Sequence, residues 1–356
     1  MKILFVNTNI GYGGASKMMV TVANHMSEHA DVTFLTFRNS DVLQELSDKV
    51  KHVHNTLYTN KFKPIEILGQ IRELRKLIRK EKFDLAVAFL HPSHYMLTLA
   101  AKGTDTKVLL SERGDPTRVK KLIFKALKRF LQTADAFVFQ TEQAKASYSL
   151  KAQANSVVIP NPIPDKKIPQ LYEGEREKVI SNVARLDILQ KRQDVLIKAF
   201  DKLSEKFPEY ELHLYGDGVD EKKLREISAQ TKSADKIKFM GVSDNVMEDI
   251  RKHSLFVLSS DFEGIPNALL EAMAVGVPCV SCDCSPGGAR VIIDSGENGF
   301  IVPCGDVDAL CDAMEKVLAD DELAREFSKK AVKVTDKFEK SKILNEWENF
   351  INTVVS

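Results

Sequence analysis

Tryptophan occurs once in the 356 residues, as Trp347, and the five cysteines all fall late, at Cys279, Cys282, Cys284, Cys304 and Cys311. An odd, clustered set in a chain this long is not a disulfide framework and fits a reducing compartment. Long apolar runs are missing too: none approaches the roughly 18 uncharged residues that a membrane helix needs. The start, Met1-Lys2-Ile3-Leu4-Phe5-Val6-Asn7, has no cleavage-site pattern, so a leader is not expected and a cytoplasmic location is. Excess charge of one sign is also absent, with 51 Lys+Arg against 50 Asp+Glu and a net charge of +1. That balance argues against a nucleic-acid partner. No repeat and no low-complexity tract is visible. What remains is 44% hydrophobic and 28% charged, the composition of a folded chain of roughly two to three domains.

The neutral total hides an asymmetry. Residues 1–164 hold 24 basic and 14 acidic side chains, whereas residues 165–356 hold 27 and 36. Strand-length apolar runs recur in both halves: Lys2–Asn7, Asp31–Phe37, Asp84–Leu90, Lys107–Ser111, Asp135–Gln140 and Ser156–Ile159, then Lys178–Val183, Glu211–Tyr215, Lys236–Met240, Ser254–Ser259 and Pro278–Cys282. Runs such as LAVAFL are continuously apolar, as in strands covered on both faces. Stretches such as Asp194–Lys206 and Asp306–Ala319 have helical spacing. The repeated β-α alternation predicts an α/β protein of two doubly wound, Rossmann-like domains. The run Pro160-Asn161-Pro162-Ile163-Pro164 reads as a stiff linker and sets the boundary. We therefore expect an N-terminal domain over 1–164, a second over 165–336, and a C-terminal helix over 337–356 that docks through Trp347. Ligands of such sheets bind beyond the carboxyl ends of the strands, so a cleft between the domains is the expected site.

The strongest constellation is Glu263-Gly264-Ile265-Pro266-Asn267-Ala268-Leu269-Leu270-Glu271, just after a strand. Pro266 suits the first turn of a helix, which would leave the N–H groups of Asn267, Ala268 and Leu269 as an anion site. Glu271 is a carboxylate in an apolar stretch, costly unless bonded. Arg185 and Lys191 flank the turn after Lys178–Val183. Two cations there can clamp a diphosphate, or they are solvated surface charges. Gly11-Tyr12-Gly13-Gly14 follows the first strand but lacks the spacing of a dinucleotide fingerprint. Gly216 and Gly218 read as a turn or as the lining of a nucleotide pocket. Ser111-Glu112-Arg113-Gly114-Asp115-Pro116 reads as an Asp-Pro turn with an Arg–Glu pair, or as reactive groups at a strand end. His91 and His94 follow another strand and either bind a ligand or cap a helix. Cys282-Asp283-Cys284 lacks a second pair, and the Asp pairs Asp306/Asp308 and Asp217/Asp220 read as helix starts, so no metal is expected. Over Arg118–Gln132 one face is apolar, and the other carries Lys120, Lys121, Lys125, Lys128 and Arg129. That face is solvated or meets anionic lipid, as do the further basic residues Arg72, Arg75, Lys76, Arg79, Lys80 and Lys82.

These segments resemble, in family order and over nearly the whole chain, retaining glycosyltransferase family 4 with its two-domain GT-B fold. The resemblance rests on "EGIPNALLEAMAVGVPCVSCDC" with its Glu-x7-Glu spacing, "NVARLDILQKRQDVLIKAF", "LYGDG", "KFMGV", "PGGARVII", "ENGFIVPCGDVDAL" and "NIGYGGASKMM". It implies a hexosyltransferase that moves a hexose or N-acetylhexosamine from a UDP-sugar to a hydroxyl of an acceptor glycan. "SERxDP" is similar to the variant of enzymes that build capsular or lipid-linked oligosaccharides. By resemblance, Arg185 and Lys191 hold the leaving diphosphate, and Glu263 bonds the donor sugar. Glu271 takes the ribose, Gly13 and Gly14 line the diphosphate, and Val242 lies where the base is held through the backbone. Asn267, Ala268, Leu269 and Gly216 complete the donor site, and no cofactor beyond the nucleotide sugar is required. The family usually has Gly after the Lys, where this chain has Arg192. It also places a His in the loop at Ser111–Pro116, where this chain offers Glu112, Arg113 or Asp115 instead, and Asp115 is the candidate for catalysis. The expected partners are a UDP-sugar, a glycan or lipid-linked glycan and an anionic membrane surface. An epimerase acting without acceptor, and a non-catalytic sugar-nucleotide-binding module, are the alternative readings.

Overall fold

A computed structural model describes residues 1–8, 14–37, 46–54, 63–118, 128–164 and 168–356. The chain divides into two compact units, one of Met1–Asn161 with Ser341–Ser356 and the other of Pro162–Lys340.

The first unit is a seven-stranded parallel sheet of β1 (Lys2–Asn7), β2 (Asp31–Thr36), β3 (Lys51–His54), β4 (Leu85–Ala88), β5 (Lys107–Ser111), β6 (Ala136–Phe139) and β7 (Ser156–Val158). Their spatial order is β3-β2-β1-β4-β5-β6-β7. The second unit is a six-stranded parallel sheet of β8 (Glu177–Val183), β9 (Glu211–Tyr215), β10 (Ile237–Gly241), β11 (His253–Leu258), β12 (Cys279–Cys282) and β13 (Phe300–Val302), in the order β10-β9-β8-β11-β12-β13. The continuous apolar runs are the central strands. Ile3 to Val6, Leu85 to Ala88 and Leu255 to Val257 are fully buried. Helices supply the other side of each core, for instance Gln193–Leu203, which buries Val195, Leu196, Ala199, Phe200 and Leu203. In both sheets the chain order reverses beside one strand. The reversal lies between β1 and β4 in one unit and between β8 and β11 in the other, and the loops at the carboxyl ends there frame a crevice.

Two strands have no counterpart in the sequence reading. β3 is a polar, exposed edge strand and β13 has three residues. The C-terminal helix runs Lys340–Val355 and belongs to the first unit's core. Trp347 is fully buried and stacks on Phe89 with ring centroids 5.1 Å apart. Among the described residues, no helix is long and apolar enough to cross a membrane.

Candidate active site

In the second unit, the loops after β8 and β11 carry the residues with chemistry. Asp187 caps the short helix Ile188–Lys191, its carboxylate accepting the N–H groups of Leu189 and Gln190 at 3.1 and 3.3 Å. The helix ends at Lys191 because Arg192 turns left-handed, with φ 51° and ψ 38°. This explains the usual glycine: only glycine takes that backbone without a steric penalty. Arg192 holds it by bonding Asp194 at 3.1 Å and Asp261 at 3.1 Å.

Lys191 and Glu263, 72 residues apart, form an ion pair, and both side chains are mostly buried. Ser260 Oγ donates to the same Glu263 oxygen at 2.8 Å. Backbone contacts zip the two loops together. Asp261 N–H donates to the Gln190 carbonyl at 2.9 Å, Gln190 Nε2 to the Phe262 carbonyl at 3.1 Å, and Ser259 Oγ to the Lys191 carbonyl at 2.7 Å. Arg185 stands beside this pair on the same loop, largely exposed, and donates to Asp187 at 2.8 Å and Gln190 at 3.1 Å. The sequence reading kept Lys191 and Glu263 as separate groups; the fold brings them into contact. Their position at the reversal point of the sheet makes this crevice the candidate site.

The helix after Glu263 starts later than expected. Pro266 precedes it as the cap, and the helix spans Asn267–Ala274. The amide of Leu269 is not free for an anion, because it donates to the Pro266 carbonyl at 3.1 Å. Glu271 is half-buried among the fully buried Leu269, Leu270, Ala272 and Met273. Gly288 begins a short helix packed under the Glu263 loop, and a Cβ there would sit 1.7 Å from the Gly264 carbonyl oxygen. Gly216 has φ +123° and passes so close to the β8 loop that a Cβ would lie 2.1 Å from the Ala184 oxygen. The glycine is thus fixed by loop packing. Val242 is 66% exposed just beyond β10.

In the first unit, Gly13 lies outside the described residues, and Gly14 is the exposed first residue of the helix Gly14–Met26. Asp115 holds its own turn: Oδ1 accepts from Thr117 N at 2.8 Å and from its hydroxyl at 2.5 Å. Its other oxygen is buried and, among the described residues, has no partner. Glu112, not Asp115, joins the histidines at the ends of β4 and β5. It is buried, accepts from Tyr148 Oη at 2.9 Å and Gly114 N at 3.2 Å, and lies 3.7 Å from His91 Nε2. Burial pushes this carboxyl up, but His91, His94 and Tyr148 together outweigh it and bring it down to about 2. His94 is buried with Nε2 3.1 Å from the Ser111 carbonyl oxygen, and burial lowers it to about 4.

The basic faces are only partly as expected. Lys120, Lys121 and Lys125 lie outside the described residues. Lys128 turns inward, donating to Pro116 O at 3.1 Å and Ser147 O at 3.0 Å. Arg75 is likewise used internally, on the carbonyls of Ala100 and Lys102 that end the helix Ser93–Ala101.

Comparison with known proteins agrees with this fold. The family described as "Glycosyltransferase Family 4" matches residues 12–167, and "Glycosyl transferases group 1" matches residues 164–334. An uncharacterized glycosyltransferase of Haemophilus influenzae is 26% identical over 98% of this chain and 99% of its own. A Campylobacter jejuni enzyme, named as an alpha-1,4-N-acetyl-D-galactosaminyltransferase acting on a diNAcBac-PP-undecaprenol glycan, is 27% identical over 99% of both chains. Among solved structures, Anabaena HepE in complex with UDP and glucose superposes with a TM-score of 0.81 at 18% identity, over 99% of this chain and 100% of that one. With two parallel sheets of the GT-B type and the two family matches meeting near residue 165, the chain belongs to glycosyltransferase family 4.

Proposed function

We propose that this glycosyltransferase moves a hexose or N-acetylhexosamine, with retention, from a UDP-sugar to a hydroxyl of a lipid-linked glycan in cell-surface polysaccharide synthesis. The observation that carries the donor half is the Lys191–Glu263 pair at the reversal point between β8 and β11. Diphosphate binding takes Lys191 from Glu263, and Arg185 from Asp187, and puts both cations on the phosphates. Glu263, released but still bonded by Ser260, accepts from the donor sugar's hydroxyls. Glu271 accepts from the ribose hydroxyls, and Val242 borders the base. Fixed cations placed where negative charge develops on the leaving group are the usual dominant aid to such a step. They make a metal unnecessary at the diphosphate. The acceptor half is supported by the printed activity of the Campylobacter relative, and UDP by the ligand of the Anabaena neighbour.

The test is a donor panel of UDP-, GDP- and ADP-sugars read by thermal shift. A ligand at 100 times its Kd stabilises by about 2.7 kcal/mol. UDP-sugars should shift the melt, in EDTA as in buffer, and Lys191→Ala and Arg185→Ala should reduce the shift, each measured from the variant's own unliganded melt. Transfer to a polyprenyl-diphosphate glycan should fall strongly in the same variants, and the anomeric configuration of the product reports retention. Full activity in Lys191→Ala would sink the assignment. Membrane association is read by flotation with anionic vesicles, where binding should fall with salt.

A further inference from the structure

We propose that His91, His94 and Glu112 bind a divalent transition-metal ion of the zinc type at the carboxyl ends of β4 and β5 in the first unit. A ring nitrogen of each histidine and a carboxylate oxygen of Glu112 all lie within 4.8 Å of one another. Two imidazoles and one carboxylate form a donor set that zinc accepts while keeping a position open for water. Metal–ligand bonds of about 2.0–2.2 Å require these atoms to draw together by about an ångström. The half-exposed His91, already 3.7 Å from Glu112, is free to make that movement.

Three further observations point to a ligand. The cluster sits beside the reversal of strand order between β1 and β4, where sheets of this kind hold their ligands. Glu112 is a buried carboxylate with no lysine or arginine nitrogen within 4 Å among the described residues, the buried Arg113 next to it attracting it only from farther off. His91 is at 3.7 Å, while Lys128 lies over the Tyr148 ring, tied to the carbonyls of Pro116 and Ser147. A buried carboxylate is costly without a close cation. Finally, the outer partners that orient metal ligands are in place. Tyr148 Oη and Gly114 N hold Glu112, the carbonyls of Ser111 and Ala88 border the His94 ring, and Tyr95 stacks on His91 at 4.9 Å. Binding takes a carbonyl contact from His94, so the affinity should be micromolar rather than that of a closed structural site. Sequence spacing hid the group because Glu112 comes from a different strand than the two histidines.

The experiment titrates the full chain, stripped with chelator, with Zn²⁺ by calorimetry and with Co²⁺ by visible absorption. We expect one ion per chain with micromolar affinity and a cobalt spectrum of low coordination number. His91→Asn, a half-exposed position that leaves the fold intact, should weaken binding at least tenfold. Glu112→Gln, checked by circular dichroism, should abolish it if it folds. Cys304→Ser should change nothing, Cys304 being the exposed thiol. No binding by the wild type at 100 times the protein concentration, unchanged binding in His91→Asn, or loss in Cys304→Ser would each overturn the proposal. None of these readouts depends on transfer activity.

Discussion

Arg192 shows how one residue can carry a local cost for a local gain. A left-handed conformation costs a non-glycine residue about 1–2 kcal/mol, and its guanidinium recovers part of that through Asp194 and Asp261. Asp261 is two residues before Glu263, so the strained residue also ties down the loop that bears Glu263. Two substitutions separate the effects. Arg192→Gly removes strain and ion pairs together, and its stability in urea should stay within about 1 kcal/mol of wild type. Arg192→Ala keeps the strain and loses the pairs, so it should be less stable than Arg192→Gly by about 1 kcal/mol. Equal stabilities would mean that the backbone strain is absorbed elsewhere.

At the scale of elements, the loop of Glu263 is shaped by a neighbour far along the chain. Gly288 lets the carbonyl of Gly264 approach to a distance at which a Cβ would overlap it. Gly288→Ala should therefore push the loop away and separate Glu263 from Lys191. The expected result is a loss of several kcal/mol in stability and of UDP binding. Gly296→Ala is the control: its φ is +88° but nothing lies within 4 Å of the added methyl, so it should cost only about 1 kcal/mol and spare UDP binding. Comparable UDP binding in both variants would remove the packing role of Gly288. Strands and loops were legible in the sequence where they are apolar and buried on both faces, as in β1, β4 and β11. They were not where solvent replaces that pattern, as in the edge strand β3. Candidate residues were legible within one motif, such as Glu263 and Glu271. Contacts that close through space, Lys191 on Glu263 and His91 beside Glu112, depend on strand order, which spacing does not carry. Lys128 was misplaced for a related reason: a helical wheel puts it on one face with Lys121 and Lys125, but the carbonyls of Pro116 and Ser147 draw it inward.

For the whole molecule, the two units offer a built-in way to tell their stabilities apart. Trp347, the single tryptophan, is buried in the first unit, so its fluorescence follows that unit, whereas far-ultraviolet circular dichroism follows both. The second unit buries His253 at the amino end of β11, away from Glu263 at the other end of the sheet. Its Nε2 is 3.7 Å from Glu177, and among the described residues its Nδ1 has no hydrogen-bond partner. Burial, then the charge of His213, lowers His253 to about 4 from an ordinary value of 6.5. Above pH 6.5 the ring is neutral in both the folded and the unfolded chain, and the folded state has its full stability. As pH falls from 6.5 towards 4, the unfolded chain takes up the proton first, so folding loses up to about 3 kcal/mol, and the loss levels off below 4. Urea titrations followed by circular dichroism at pH 7.5, 6, 5 and 4 should show that decline in wild type. His253→Gln should be less stable at pH 7.5, through lost packing, yet decline less steeply on acidification. Its tryptophan transition should match wild type at each pH, and its UDP binding at pH 7.5 should be unchanged. Parallel declines of the two proteins by circular dichroism would show that His253 is not the group that makes the second unit sensitive to acid.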